Sequence, residues 1–535
     1  MKLNKLALAC AAALTLPAIA HANAPAGPWD TAGAVKVYMS GASAPDNFLN
    51  AIATSMFDAG YITYSDDGAL PGAGFTAFLG YTNAAFTSGA NNMPIHTKVL
   101  LIKRSKGGSV WGVNPLARSE AIATLNVGGV VGDLSHPGPC TAATGSQYKC
   151  PVIGLDPAVG VTPTGNEMVP DFGISDVAPF MFKSPMNVEA GATQLSVSEA
   201  GYLSTFPVQA VGMGVVTTAE IPDTAYISQA DYAAMLSGNI KDWSKLNLAP
   251  AGATASGATE PHPVVVCRRV PGSGTQASYN WAFNNFPCTG NSATSGVDGV
   301  TTPKRMSDST SYGNIYLGLG DGSSAADAIG VDVTAGYTVI ENSGSGDVRK
   351  CLNAAQNGGV YSFKDENNLY HYVDFGAGHY GAIGVLSLDS QAKTSTDLAK
   401  GEGAETYWFF RPVDGAGVFH NATQTCTSGA VAATGVCPSK QNLLKGRYAF
   451  AVESTSQYRN AASGNALDTT KKPFVDELIK RAGATAYQKN WTTALPLVTN
   501  GLTPTFDVAH DVSNNVAVGS HKGNMCQQFE RKFGG

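Results

Sequence analysis

The run Val264-Val265-Val266-Cys267 feeds two arginines, Arg268 and Arg269, into Val270-Pro271-Gly272-Ser273-Gly274-Thr275, and Gln276 to Phe283 then carries a helical pattern. β-Branched residues favour a strand, and the glycines let the backbone turn sharply, so the turn stands at a helix N-terminus. A strand leading through a tight turn into a helix is the building unit of α/β folds. The same turn has the chemistry of an anion cradle. The first amides of a helix point at whatever sits there, Ser273 and Thr275 add hydroxyls, and an arginine brings a forked, charged donor. A bare Gly-Ser-Gly-Thr turn is also an ordinary strand-to-helix connection; Arg269 beside it points to an oxyanion.

The rest of the chain repeats the alternation. Strand patterns cover Val35 to Met39, Thr97 to Ile102, Val208 to Val216, Val264 to Cys267, Ile383 to Leu388 and Tyr448 to Val452. Helical patterns cover Pro45 to Phe57, Gln229 to Ser237, Gln276 to Asn285, Asp347 to Gln356 and Lys472 to Ala482, with Ser228 as a cap and Gly238 as a stop for the second. This predicts α/β layers with largely parallel strands. At 535 residues the chain implies two or more domains. Gly/Ser/Thr/Ala-rich stretches at Ala251 to Thr259, Thr289 to Thr302 and Ala422 to Ser439 are expected to be surface insertions, and no internal repeat is visible.

Lys2 and Lys5 precede an apolar run from Leu6 to Ile19, and Ala20-His21-Ala22 supplies the small residues a signal peptidase needs. Residues 1–22 are therefore expected to be a signal peptide cleaved after Ala22, with the mature chain periplasmic or secreted. Cys10 lies too close to Lys5 for a lipid-attachment box. No second apolar run is long enough to span a membrane. Loss of the leader leaves eight of nine cysteines, an even number that suits four structural disulfides in an oxidising compartment. Short closures favour Cys140 with Cys150, Cys267 with Cys288 and Cys426 with Cys437, leaving Cys351 for Cys526. The net charge moves from −6 to −8, which argues against nucleic acid as a partner but not against a small anion, since first-shell dipoles decide that binding.

Two further segments have anion-handling chemistry. Ser40-Gly41-Ala42-Ser43-Ala44-Pro45 follows a strand and opens a helix, so Ser43 and the neighbouring amides are candidates, or a plain helix cap. In Asp171-Phe172-Gly173-Ile174-Ser175-Asp176-Val177-Ala178-Pro179 a carboxylate follows a strand beside a hydroxyl, a position that turns also favour.

In this order, Gly41 to Pro45, the DFGISDVAP segment, Ser237 to Trp243, the RRVPGSGT loop and the strand Gly381 to Leu388 resemble the phosphate-binding proteins of ABC transporters, at intervals over about half of the mature chain. The resemblance implies a two-lobed periplasmic binding-protein fold (type II), α/β in class, with two crossover strands and surface insertions. Lobe I would hold residues 23–216 and 446–535, lobe II residues 217–445, with the ligand between them. The implied ligand is inorganic phosphate or a related tetrahedral oxyanion, the implied partner an ABC transporter permease. The implied ligand-binding residues are Ser43 with the amide of Ala44, Asp176, Arg269, Ser273, Gly274 and Thr275. A family serine before two glycines falls on Ser105 in Ser105-Lys106-Gly107-Gly108, with Ser109 as a rival. Pro271 departs from the family, which usually carries there an acidic residue that braces the arginine. Asn342-Ser343-Gly344-Ser345-Gly346-Asp347 is similar to a Gly-rich helix start in the second lobe. Gly128 to Gly160, with Cys140 and Cys150, would be a surface excursion that stabilises only itself.

An enzyme is not indicated. The sequence has no Gly-x-Ser-x-Gly elbow and no His-Glu-x-x-His, its histidines form no ligand cluster, and no cofactor or metal fingerprint is present. The competing reading is a secreted or surface structural protein that keeps this fold with altered or lost ligand binding, which the long insertions and many cysteines would suit.

Overall fold

A computed structural model describes residues 23–67, 74–143, 147–157, 162–184, 187–188, 193–222, 227–236, 238–248, 262–288, 319–320, 329–330, 337–364, 370–387, 390, 408–413, 431–432, 435–436, 448–483, 502–503, 517–521, 525–527 and 530–532. The leader, Cys10, Ser237, Cys426, Cys437 and nearly all of the three Gly/Ser/Thr-rich stretches lie outside these residues.

The described residues form a mixed α/β structure around one large mixed sheet. Its main strands are β1 (Val35–Gly41), β2 (Ile62–Ser65), β3 (Phe75–Tyr81), β4 (Lys98–Arg104), β5 (Phe172–Ser175), β6 (Leu203–Thr218), β7 (Val265–Arg269), β8 (Thr338–Asn342), β9 (Ala382–Ser387) and β10 (Ala451–Arg459). In space they run β8-β7-β9-β6-β10-β5-β1-β4-β3-β2, continued by two short strands at Gln147–Lys149 and Thr141–Ala142. β1 pairs parallel with β5 and β4, and β7 pairs parallel with β8 and β9. These two parallel groups are joined by β6. Its sixteen residues pair with β10 from Leu203 to Gly212 and with β9 from Met213 to Thr217. The chain thus leaves the first group through β6 and comes back to it through β10, which also pairs with β5.

Both faces of the first group are covered, as a parallel arrangement requires. Val37 and Met39 of β1 and Val99 and Leu101 of β4 share a core with Phe48, Leu49 and Ile52 of helix α1 (Asp46–Thr54). Phe474, Val475 and Leu478 of a C-terminal helix, Lys472–Gly483, complete that core at helical spacing. Tyr38, Leu100 and Ile102, one step out of phase, fill the opposite face with Trp111 and Leu116. Ser228 accepts the Asp231 amide at 3.1 Å in front of the helix Gln229–Leu236, and Gly238 follows it with a φ of 75°, as the sequence predicts.

Two expectations are overturned. The segment Gly128 to Gly160 is no self-contained excursion: Gln147–Lys149 pairs with β2, and Cys140 and Cys150 lie in the main core at 0% and 1% exposure. Asp156 forms a buried ion pair with Arg104, one of its bonds being Nη2 to Oδ2 at 2.8 Å, and accepts the Ala123 amide at 3.1 Å. A guanidinium with no exposed side-chain surface needs that counter-charge. The cysteine pairing also differs. Cys140 bonds Cys150 as expected, but Cys267 bonds Cys351 and Cys288 bonds Cys526. Cys267 lies in β7, against which the helix carrying Cys351 packs, while Cys288 lies beyond an eleven-residue helix in chain order. Among the described residues no helix is long and apolar enough to cross a membrane.

Candidate functional site

Five loops meet where parallel strands end at their carboxyl termini, the edge at which open α/β sheets bind ligands. β1 runs into Ala42 to Pro45 and α1; β4 into Ser105 to Ser109; β5 into Asp176. From the other group, β7 runs into Val270 to Ser273 and helix α2 (Gly274–Asn284), and β8 into Ser343 and Gly344 and helix α3 (Ser345–Asn357). Register places Arg269 beside Asn342, so both loops leave the sheet at the same level.

Arg269 is 2% exposed. Its Nη1 donates to Ser43 Oγ at 3.3 Å and Ser345 Oγ at 3.1 Å, and its Nη2 to the Ser343 carbonyl at 2.6 Å. The first bond joins the two strand groups, and the other two hold the arginine without an acidic residue at Pro271. Burial pulls the guanidinium down to about 10, against the attraction of Asp176, Asp347 and Asp46, so it is charged at neutral pH. Its Nε has no hydrogen-bond partner among the described residues.

Asp176 is 1% exposed, and burial pushes its carboxyl up to about 7 although Arg269 and a bond from Ser109 pull it down. Its amide donates to Ser109 Oγ at 3.0 Å, while its Oδ1 has no partner among the described residues. Across the junction, Ser273 caps α2 by accepting the Gln276 amide at 3.4 Å. Thr275 Oγ1, 1% exposed, is also without a partner among the described residues. Gly274 lies against the acid: a Cβ there would stand 2.6 Å from Asp176 Cβ and 2.8 Å from its Oδ2, and would strike Ser109 Oγ. Beside it, Gly108, with a φ of 90°, has room for no Cβ next to Ser273, and the Val110 amide donates to the Gly272 carbonyl at 2.8 Å.

The structure therefore gathers Ser43, Asp176, Arg269, Ser273, Gly274 and Thr275 in one place, with Ala44 buried next to Ser43. Ser105 is placed differently. Its hydroxyl donates to Asp46 Oδ1 at 3.0 Å and accepts from Lys103, whose ammonium also pairs with Asp46 and donates to the Ala42 carbonyl at 3.1 Å. Ser109 is the serine that touches Asp176. Gly107 and Gly108, both at positive φ, throw the chain back after β4 and bring Ser109 rather than Ser105 to the acid.

Other sequence motifs serve packing. Asp171 accepts the Tyr38 amide at 2.9 Å and pairs with Lys471. Trp243 donates its Nε1–H to the Gly381 carbonyl at 2.8 Å, which explains the glycine opening the Gly381 to Leu388 segment. Arg268 pairs with Glu341 in a buried bridge. The site contacts made by Ser343 and Ser345 have no signal in the sequence beyond the Gly-rich helix start, because no strand pattern marks β8. Among the described residues no group of His, Cys, Asp and Glu could hold a metal ion.

No protein-family model matches the chain, and none of the curated proteins does. Among solved structures it is similar to an ABC-type phosphate transport receptor from Vibrio cholerae, at 11% identity over 87% of this chain and 100% of that one, with a TM-score of 0.35. It is also similar to a phosphate-binding protein from Stenotrophomonas maltophilia (13% identity, 83% and 84% covered, TM-score 0.31) and to a DING protein (16%, 62% and 77%, TM-score 0.34). At such values the likeness places no residue and names no ligand; the site speaks through its own geometry.

Proposed function

We propose that the protein is an exported binding protein for a tetrahedral oxyanion, inorganic phosphate foremost, that serves phosphate uptake by delivering its ligand to an ABC transporter permease. The observation that carries this reading is that Arg269 Nε, Thr275 Oγ1 and Asp176 Oδ1, buried at the junction, have no hydrogen-bond partner among the described residues. Unpaired polar groups in an interior cost free energy, and a ligand rich in acceptors with one proton to give would satisfy all three. Arg269 would hold the anionic oxygens with the hydroxyls of Ser43, Ser273 and Thr275 and the amides of Ala44 and Gly274. Asp176 would accept the proton of hydrogen phosphate; sulfate offers none and would set two negative groups against each other. Ser105 would act through Asp46, as a support of the first loop.

The two strand groups would act as lobes, residues 23–216 with 446–535 and residues 217–445, parting to admit the ligand. Calorimetric titration of residues 23–535 with phosphate, then sulfate, tests the reading. Heat with a micromolar Kd, about 8 kcal/mol of binding free energy, is expected for phosphate, and none for sulfate. No heat at millimolar phosphate would refute it. A second reading, a structural protein that keeps the fold without its ligand, is favoured by one observation: Gly274 already lies against Asp176. A silent titration would favour that reading.

A further inference from the structure

The arginine of this site is held from a direction that the sequence pattern did not suggest. Pro271 offers no carboxylate, and the bonds that fix the guanidinium within its own strand group come from the turn 343–345, through the Ser343 carbonyl and the Ser345 hydroxyl. That turn is stabilised at both ends. At its start, Asn342 donates to the Arg268 and Ile340 carbonyls at 3.1 Å each, and the Val270 amide donates to the Asn342 carbonyl at 3.1 Å. At its end, Asp347 Oδ2 accepts the Gly344 amide at 3.0 Å. The helix that follows is bonded covalently to the arginine's own strand: Cys267 stands two residues before Arg269, and its partner Cys351 stands six residues after Ser345. Both sulfurs are buried, at 0% exposure. Six residues of helix are about 9 Å, so the crosslink lies within two turns of the hydroxyl that meets the guanidinium.

We propose that the Cys267–Cys351 disulfide and the Asp347-capped turn are the positioning device for Arg269, so that oxyanion affinity depends on a covalent link outside the ligand's reach. The nearby carboxylates attract the guanidinium without bonding it, whereas the Ser343 carbonyl and Ser345 hydroxyl that bond it hold it only as well as their backbone is held. Sliding of α3 along β7 would move Ser343 and Ser345 together and release both bonds. The crosslink forbids that slide. The inference rests on the phosphate reading for its affinity arm alone.

The test uses residues 23–535 carrying Cys267→Ala with Cys351→Ala, and a control carrying Cys140→Ala with Cys150→Ala, whose bridge lies in the opposite strand group. In calorimetry the first variant is expected to bind phosphate about tenfold more weakly, and the control to bind as the wild type does even where its melting temperature falls as far. Ligand-free hydrogen exchange read by mass spectrometry should show faster exchange of peptides covering 342–349 and 269–275 in the first variant only. A folded Cys267→Ala/Cys351→Ala protein with unchanged affinity and unchanged exchange there overturns the proposal. If wild type takes up no phosphate, the proposed function falls and the exchange comparison still decides the positioning. Should the double variant not fold, Asp347→Asn decides: it leaves the disulfide and weakens the cap, and an affinity and exchange equal to wild type would overturn the proposal.

Discussion

Asp176→Asn should change how the stability of the ligand-free protein depends on pH. The carboxyl is 1% exposed and sits at about 7 in the folded chain, against 3.8 when unfolded, with burial as the main cause. Between those values the unfolded chain has released the proton while the folded chain keeps it. The unfolded state then binds fewer protons, so stability falls as pH rises through this window. A difference of three units corresponds to roughly 4 kcal/mol, present below pH 4 and lost by about pH 7 to 8. Asparagine does not titrate. Urea unfolding of wild type and variant from pH 4 to 8, in buffers free of phosphate, should therefore give a difference that grows with pH in favour of the variant and levels off above 7. Taking the difference cancels the titration of every other group. A difference that stays constant across the range would mean that Asp176 ionises as freely folded as unfolded, and the account of a desolvated acid at a closed junction would be wrong.

Gly274→Ala places a methyl group against Asp176 and Ser109, so phosphate heat in calorimetry should fall by tenfold or more while far-UV circular dichroism is unchanged; wild-type affinity would show that the turn stands clear of the acid. Asp156→Ala strands the Arg104 guanidinium in the core and should cost about 3 to 5 kcal/mol in urea unfolding, with a loss under 1 kcal/mol counting against the buried pair. Arg269→Lys keeps a charge but loses the fork that reaches Ser43, Ser345 and Ser343 together; phosphate binding should weaken about a hundredfold by calorimetry, and a twofold effect would refute the fork's importance.

Much of the candidate site could be read from the chain because its chemistry is local. A β-branched run, a glycine turn and a capped helix are neighbours in sequence, and Arg269, Ser273, Gly274 and Thr275 arrive together from one such unit. Ser43 and Asp176 follow the same logic at the ends of β1 and β5. The choice between Ser105 and Ser109 was not local: it depended on two consecutive positive-φ glycines and on which loop crosses the junction to meet Gly274. Nor could Ser343 and Ser345 be assigned, since their value comes from β8 lying beside β7 in register. The excursion expected at Gly128 to Gly160, which contains Asp156, failed for the opposite reason. Asp156 sits in a stretch with turn composition, and only the burial of Arg104, 52 residues earlier, gives it a task. Cysteine pairing by shortest loop failed because the helix packed against β7 brings in Cys351, 84 residues from Cys267.

The bond from the Val110 amide to the Gly272 carbonyl has a consequence for time rather than for affinity. It links the loop after β4 to the loop after β7 directly through the backbone, beside an arginine and an acid that are 2% and 1% exposed. An anion bound there, as proposed above, would leave only after this bond and the Gly274 contact with Asp176 had broken. Its departure would then be paced by an opening of the whole junction, on the microsecond to millisecond scale of hinge motions or slower. Variants that weaken this seam, such as Gly272→Pro or Gly108→Ala, would thus be seen first as faster release, before any change in which anion is preferred.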